Sequence, residues 1–530
     1  MEDRERTIAD RCRTTSRLGA NGLMFRTIKN IGIKMVGGLL GWTESRSGVI
    51  TFVQPILTHR VPRDAKWWYV FGSASLMFFS IQVVTGILLA TMYVPSAAEA
   101  YSSLQYIDQQ VPFGWMLRAL HAWSSNAMIL MVVIHMSQVF LHASFKFPRE
   151  LMWMVGVLLL FCTLALAFTG QIMRWDQDAY WGLGIGAAIV DRVPMLGNQM
   201  RNVMLGGPYI GGATLSRFFA LHVFVLPGLT IGLIGAHMAL ILKNGISEMP
   251  KPGMVVDPKT YVAQYEERIK KTGVAFMPDA AQRDMVFCGL MLIIVGLLAA
   301  YLGPVGPNGI PNPTIIDANP RPDYAFLWIF TAMALMPPQI ETAVLLIAPP
   351  IVVLALLGLP LISNRGERAP SRRPGAVIAY VLIATALGTL TWLGVVSAWS
   401  PVMDAWTSMP TPPQYLVGRT PLEMQGALVL QHSQCRNCHS LGGQGGLRGP
   451  NLDNVGSRKS WDQLVRQVQQ GGGNMPAYGK NLSSAETTAV VAFMTTLRNS
   501  GAPESNIPGA MERQSSPDQA PKAVASEAGK

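Results

Sequence analysis

Residues 121–135, HAWSSNAMILMVVIH, set two histidines fourteen residues apart in a segment apolar enough to cross a bilayer. A second such segment, LHVFVLPGLTIGLIGAHMALIL, carries His222 and His237, fifteen apart. Ligating side chains inside a membrane are costly and mark function. At 1.5 Å per residue each pair covers about 21–22 Å along a helix, and at about 100° per residue each stays within about 60° of one face. The two segments are the second and fourth apolar runs of the chain and so run in the same direction. His121 then faces His222 near one membrane surface, and His135 faces His237 near the other. Two bis-histidine sites, one above the other inside a helix bundle, each suit a b-type haem. His142, seven residues beyond His135, has no counterpart on the fourth run and is placed at the lipid-headgroup boundary.

The first and third apolar runs repeat the period. Gly72 and Gly86 lie fourteen apart, and so do Gly156 and Gly170. Glycine inside a helix costs about 1 kcal/mol relative to alanine, and a flat macrocycle pressed against the backbone is a reason to keep it. Helix packing through small residues is the alternative; the shared period favours the macrocycle.

Seven runs reach the length of about 20 residues that a bilayer requires: 67–93, 115–141, 151–171, 217–242, 284–303, 341–362 and 375–398. Half of the 530 residues are hydrophobic and 14% are charged, the balance of a membrane protein. Arginine and lysine orient the spans. The segment before span one and the loops after spans two, four and six carry 25 of them. The opposite face, span ends included, carries six: Arg118, Arg174, Arg192, Arg201, Arg217 and Arg321. By the positive-inside rule the N-terminus is cytoplasmic and the C-terminus, after seven crossings, is outside. This distribution makes the net charge of +11 a membrane-surface feature, with no nucleic-acid partner expected. Residues 23–42 mix bulky apolar groups with Arg and Lys, as an interfacial amphipathic helix does. Residues 1–20 lack the apolar core of a cleavable signal peptide.

Near residue 400 the composition changes. A Pro-rich linker over 400–422 leads to a small all-α unit, 423–500, and a Pro/Ser/Ala/Lys-rich tail, 501–530. The unit contains CRNCH at 435–439, the attachment motif of a c-type haem. Cys435 and Cys438 supply the thioethers and His439 the proximal ligand. Met475, in GGGNMPAYG, is the distal ligand and favours a higher potential than bis-histidine ligation; Met494 is its rival but lies in a packing-helix pattern. Covalent haem attachment takes place outside the bacterial cytoplasm, the side on which the charge bias puts this unit. The fold class is an all-α membrane protein: a four-helix bundle (67–243), a cytoplasmic connector (244–283), a three-helix part (284–399) and a class I-like cytochrome c domain.

Residues 50–400 resemble the cytochrome b of quinol–cytochrome c and plastoquinol–plastocyanin reductases. The likeness rests on PRDAKWWYVFG, IQVVTG, FGWMLRALHAW, KFPRELMW, WDQDAYW, TLSRFFALHVFVLPGL and RRPGAVIAY. It implies a subunit of a respiratory or photosynthetic, proton-translocating quinol–cytochrome c reductase, in a bacterial inner membrane, working by a Q cycle. Quinol is oxidised at an outer site; one electron passes to a Rieske iron–sulfur protein and a c-type cytochrome, the other through two b haems to an inner quinone site. A homodimer, the quinone pool and a downstream cytochrome c or oxidase are the implied partners. The family's Pro-Glu-Trp-Tyr motif corresponds to Pro322–Ala325, so Asp323 takes the place of the proton-accepting acid and Tyr324 that of the Trp. A carboxylate suits that place because quinol oxidation releases protons, although an Asp in a loop also serves as a helix cap. Arg174, Trp175 and Asp176 form the rim of the outer site, with Arg174 where the family has proline. Arg118 matches a propionate-binding Arg. Lys243 serves a propionate, the inner quinone or neither. Val70 stands at the cysteine position of the plastid-type branch, so no covalent haem is expected on the cytochrome b part. The competing reading is a dihaem membrane anchor feeding another oxidoreductase, which would need neither Asp323 nor spans five to seven.

Overall fold

The computed structural model describes residues 37–39, 41–311, 321–397, 410–433, 435–445, 449–472, 475, 477–479 and 482–498. Of the amphipathic segment expected at 23–42, residues 37–39 and 41–42 are described and helical; the tail 501–530 lies outside the described residues. Among these, seven helices are long and apolar enough to span a membrane: Phe71–Ala90, Gly114–Leu141, Glu150–Met173, Gly212–Asn244, Phe276–Leu302, Gln339–Ile362 and Pro374–Val396. Each overlaps its expected run. The protein is a multi-pass membrane protein.

Span one packs against span two and span three against span four, while span five closes on span two. Phe78, Met128, Met131 and Val295 form the buried core where spans one, two and five meet. Short strand pairs tie the loops on the Lys/Arg-rich side. Arg60–Val61 pairs with Val274–Ala275, and Val255–Val256 with Gly366–Glu367, both antiparallel. Shorter helices lie on the other side: Ala100–Gln109, Gln177–Asp191, Gly197–Leu205 and Tyr324–Leu335.

Span four is interrupted by a π turn at Leu221–Val225, where the Leu226 N–H reaches back to the Leu221 carbonyl. Its cause is Pro227, which lacks an N–H and crowds the carbonyl one turn earlier. A π turn takes up one extra residue. It thereby absorbs the difference between the fifteen-residue step of His222–His237 and the fourteen-residue step of His121–His135.

The C-terminal unit is four helices, Pro421–His432, Val455–Arg458, Trp461–Gln470 and Ser484–Thr495, around Leu430, Leu441, Leu464, Val491 and Phe493. Capping boxes Thr420/Glu423, Ser460/Gln463 and Ser483/Glu486 start three of them. Residues 410–420, expected as linker, instead fold onto this unit. The Tyr415 hydroxyl donates to Asp453 at 2.7 Å and the Arg436 guanidinium donates to the Pro410 carbonyl. The Pro-rich composition disguised a short 3-10 turn, Pro413–Tyr415, that carries an anchoring aromatic. Residues 398–409 lie outside the described residues.

Helices Pro421–His432 and Ser484–Thr495 touch backbone to backbone. A Cβ on Gly426 would stand 1.9 Å from the Ala489 carbonyl oxygen. Gly426→Ala is expected to cost this unit about 1–3 kcal/mol by overpacking, read as a lower denaturation midpoint of the haem c signal in the full chain.

Candidate functional site

The four histidines of spans two and four meet in two levels. At the first, the rings of His121 and His222 are 6.4 Å apart, centroid to centroid. That separation suits a metal held by two metal–nitrogen bonds of about 2 Å each plus the half-widths of the rings. Each histidine lies against a helix glycine. A Cβ on Gly86 would sit 3.2 Å from His121 Cε1, and one on Gly170 would sit 2.8 Å from His222 Cε1. At the second level Gly72 faces His135 at 3.3 Å and Gly156 faces His237 at 3.7 Å by the same measure. The glycines of spans one and three thus clear backbone for the imidazoles of spans two and four.

Threonines preceding two of these glycines set the protons at the first level. Thr85 Oγ1 lies 2.6 Å from the Ile81 carbonyl and 2.8 Å from His121 Nδ1. A hydroxyl has one proton, and the carbonyl can only accept, so the imidazole Nδ1–H donates to Thr85. Thr169 repeats the arrangement, 2.8 Å from the Ala165 carbonyl and 2.9 Å from His222 Nδ1. Both rings therefore present an unprotonated Nε2, the form that ligates a metal. At the second level no threonine precedes the glycine; the buried His135 Nδ1 makes no hydrogen bond, and His237 lies against the Met152 backbone.

A cavity of about 450 Å³ opens at the second level, lined by Gly72, His135, Gly156 and His237. Its charged lining residues include Lys66, Arg149 and Arg283 together with Asp284, which accepts from the Ser73 hydroxyl at 2.7 Å. Lys243, expected to serve there, is exposed and is not among the lining residues. Sequence reasoning missed these charged lining residues, although the pair Arg283–Asp284 at the head of an apolar run was a visible signal.

On the opposite side stands Arg118, near the start of span two. Its guanidinium donates to Asp108 from Nε at 2.7 Å and Nη2 at 2.5 Å, and to the carbonyls of Val305 and Gly306. Four of its five N–H donors are engaged, so Arg118 ties the histidine-bearing span two to the loop after span five. Asp108 sits on helix Ala100–Gln109, a pairing that sequence reasoning did not supply. Trp123 adds a bond to the Gly303 carbonyl at 2.9 Å. The same loop reaches the expected rim residues. Asp176 is fully buried, caps helix Gln177–Asp191 through the Ala179 N–H, and accepts from the Asn308 N–H at 2.9 Å. Arg174 lies 3.5 Å from Asp176 and 3.9 Å from Asp178. Trp175, in a left-handed conformation at φ 45°, donates to the Ala97 carbonyl at 3.2 Å.

Asp323 occupies the N-cap position of helix Tyr324–Leu335, but its side chain makes no capping hydrogen bond. Burial pushes its carboxyl above the usual carboxylate range; Arg174 pulls it back in part and Asp176 adds to the rise. The Tyr324 hydroxyl donates to the Asn126 carbonyl of span two at 2.9 Å. Burial, then the Asp323 charge, pushes that phenol up to about 12.

In the C-terminal unit, Cys435 and Cys438 are thiols rather than a disulfide. The His439 Nδ1 donates to the Pro450 carbonyl at 2.7 Å, which leaves Nε2 to ligate. A Cβ on Gly449 would lie 2.3 Å from His439 Cε1, so the imidazole again rests on bare backbone. Met475 packs on the same core as Cys435, whereas Met494 is buried within that core. These donors fit a c-type haem, and the two histidine levels fit b-type haems. Gly170→Val is expected to drive a branched side chain into His222. The purified chain should then lose about one b-type haem while keeping haem c, as counted by pyridine haemochrome.

The family model for Cytochrome b/b6/petB matches residues 56–245, and that for Cytochrome C oxidase, cbb3-type, subunit III matches residues 422–494. The chain is 39% identical over 206 residues to the cytochrome b6 of Auxenochlorella protothecoides, covering 39% of this chain and 96% of that one. It is 42% identical over 209 residues to the cytochrome bc complex cytochrome b subunit of Chlorobaculum thiosulfatiphilum, covering 39% of this chain and 49% of that one. Among solved structures it shares the fold of a chain of the hyperthermophilic respiratory Complex III, with TM-score 0.56 and 24% identity over 71% of this chain and 92% of that one. With backbone cleared for four imidazoles in two levels and this degree of likeness, the chain belongs to the cytochrome b/b6 family and carries a cytochrome c-type unit at its C-terminal end.

Proposed function

We propose that this chain is the cytochrome b and c subunit of a quinol–cytochrome c oxidoreductase that runs a Q cycle with a Rieske iron–sulfur partner, as a homodimer in a bacterial inner membrane. The observation that carries the reading is the pairing of His121 with His222 and of His135 with His237 at two depths, with a half-buried Asp323 whose side chain makes no capping hydrogen bond. Two b-type haems held by these pairs would supply one-electron relay across the membrane, and a c-type haem on Cys435, Cys438, His439 and Met475 the exit for the Rieske-derived electron.

The chain's own residues handle protons and position. Quinol gives up two protons with its two electrons, and Asp323 is the acceptor best placed by burial and by the nearby Arg174. Tyr324 pins the helix behind it to span two. On the inner side, Lys66, Arg149, Arg283 and Asp284 are among the residues lining the cavity beside His135 and His237, where a quinone that gains electrons must also gain protons. Tethering the c-type unit to span seven raises its effective concentration at the outer surface to around the millimolar range for a short flexible linker. It then stands in for a separate acceptor subunit.

Three outcomes are expected. Pyridine haemochrome analysis of the purified chain should count two haems b per haem c; a ratio of one to one would remove the transmembrane relay and the Q cycle with it. Asp323 accepts a proton only when ionised, and its pKa is raised. Quinol–cytochrome c turnover should therefore climb with pH through a value above the ordinary carboxylate range. Asp323→Asn should abolish that limb and lower turnover by about 10²–10⁴-fold, leaving the haem count unchanged. Deleting residues after 405 should slow electron delivery to external cytochrome c, measured with the Rieske partner present, while leaving reduction of the b haems by quinol intact.

A further inference from the structure

Helix Trp461–Gln470 ends beside the loop that carries Met475, and the two are registered by backbone bonds. The Tyr478 N–H donates to the Val468 carbonyl at 2.9 Å and the Gly479 N–H to the Gln469 carbonyl at 3.1 Å. Met475 itself is locked to Gly472 by reciprocal bonds of 3.0 and 3.1 Å. Gln467, in the last turn of that helix, uses its side-chain amide twice. Nε2 donates to the Gly471 carbonyl at 3.1 Å and to Met475 Sδ at 3.7 Å, the latter a normal reach for a large sulfur acceptor. The amide has two protons, one for each partner, and the carbonyl bond aims the second at the sulfur.

A thioether sulfur has two lone pairs. If one is given to a metal, an N–H on the other decides which pair is left to bind and withdraws electron density from the sulfur. Both effects matter more to an oxidised iron than to a reduced one, because the oxidised ion draws harder on its ligands. Hydrogen bonds around axial ligands are among the levers that set haem potentials.

We propose that Gln467 is a positioning residue for the distal ligand of haem c: its amide fixes which sulfur lone pair of Met475 faces the iron and holds the reduced state more favourable. This rests on the reading of Met475 as that ligand. Gln467 touches no part of the quinol chemistry, and its role is read at the haem alone.

The test uses the full chain with haem c attached, in three variants. Gln467→Met keeps the length of the side chain and removes both N–H groups; Gln467→Glu keeps its shape and, ionised, cannot donate; Met475→Leu removes the ligand. Redox titration of haem c is expected to show a roughly fivefold to tenfold fall in the equilibrium constant for reduction in Gln467→Met, at most about 59 mV for a one-electron couple. Gln467→Glu should fall further. Both should keep the red charge-transfer band of a Met-ligated ferric haem, and added imidazole should displace the methionine several-fold more readily than in the parent chain. Unchanged potential and imidazole affinity in both Gln467 variants would overturn the proposal and leave Gln467 as a cap for Gly471. Retention of the charge-transfer band in Met475→Leu would overturn the ligand assignment beneath it, a separate failure that the Gln467 variants alone would not produce.

Discussion

The closeness of four imidazoles to bare helix backbone governs the architecture of the membrane part. Each histidine on spans two and four needs a surface on spans one and three with no side chain on it, and a Cβ at three of the four glycines would come within 3.3 Å of the ring. Interiors are close-packed and relax only in part around an added methyl. The crossing of the helices, their spacing and the depth of each ring are therefore coupled. The π turn at Leu221–Val225 belongs to the same constraint. It takes up the extra residue of span four, so that His222 and His237 keep the register of His121 and His135.

The two levels are built differently, and the difference is chemical. Thr85 and Thr169 dictate the tautomer of the His121–His222 pair, because each hydroxyl proton is already committed to a carbonyl one turn back. The His135–His237 pair has no such hydroxyl partner and instead borders a cavity whose lining includes Lys66, Arg149, Arg283 and Asp284. The two pairs are thus oriented by different means, the first by threonine hydroxyls within the bundle and the second without them.

On the side nearer His121 and His222, span two, the segment after span three and the loop after span five are held as one body. Arg118 and Trp123 grip residues 303–306, while Asp176 and Asp178 grip Asn308. Arg174, where the family has a proline, sits inside this network as an ion-paired residue rather than at an open rim. Its charge also acts on Asp323, so the substitution links the latch to the acid that follows the loop. Burial and a neighbouring acid push that carboxyl up while the guanidinium pulls it down, the kind of opposition that tunes a proton acceptor.

The order of spans, the two histidine pairs, the matching glycines and the haem-attachment motif were all legible in the amino-acid sequence. Each is a periodic or contiguous pattern: membrane length fixes the runs, helical pitch fixes the fourteen-residue steps, and CRNCH is local. Contacts between residues far apart in the chain were not legible. Nothing in the sequence pairs Arg118 with Asp108 and Gly306, or sets Arg149 and Arg283 rather than Lys243 along the cavity beside His135 and His237, because long polar side chains choose partners by which elements the fold brings alongside. The docking of residues 410–420 on the C-terminal unit escaped for a related reason: proline-rich composition describes chain stiffness, whereas the hydrogen bond from Tyr415 to Asp453 exists only once both are folded. Sequence alone therefore determined which histidines and glycines stand at the same depth. Tertiary structure decided their protonation, their neighbours and their exposure, since these depend on distances in space that helical periodicity does not encode.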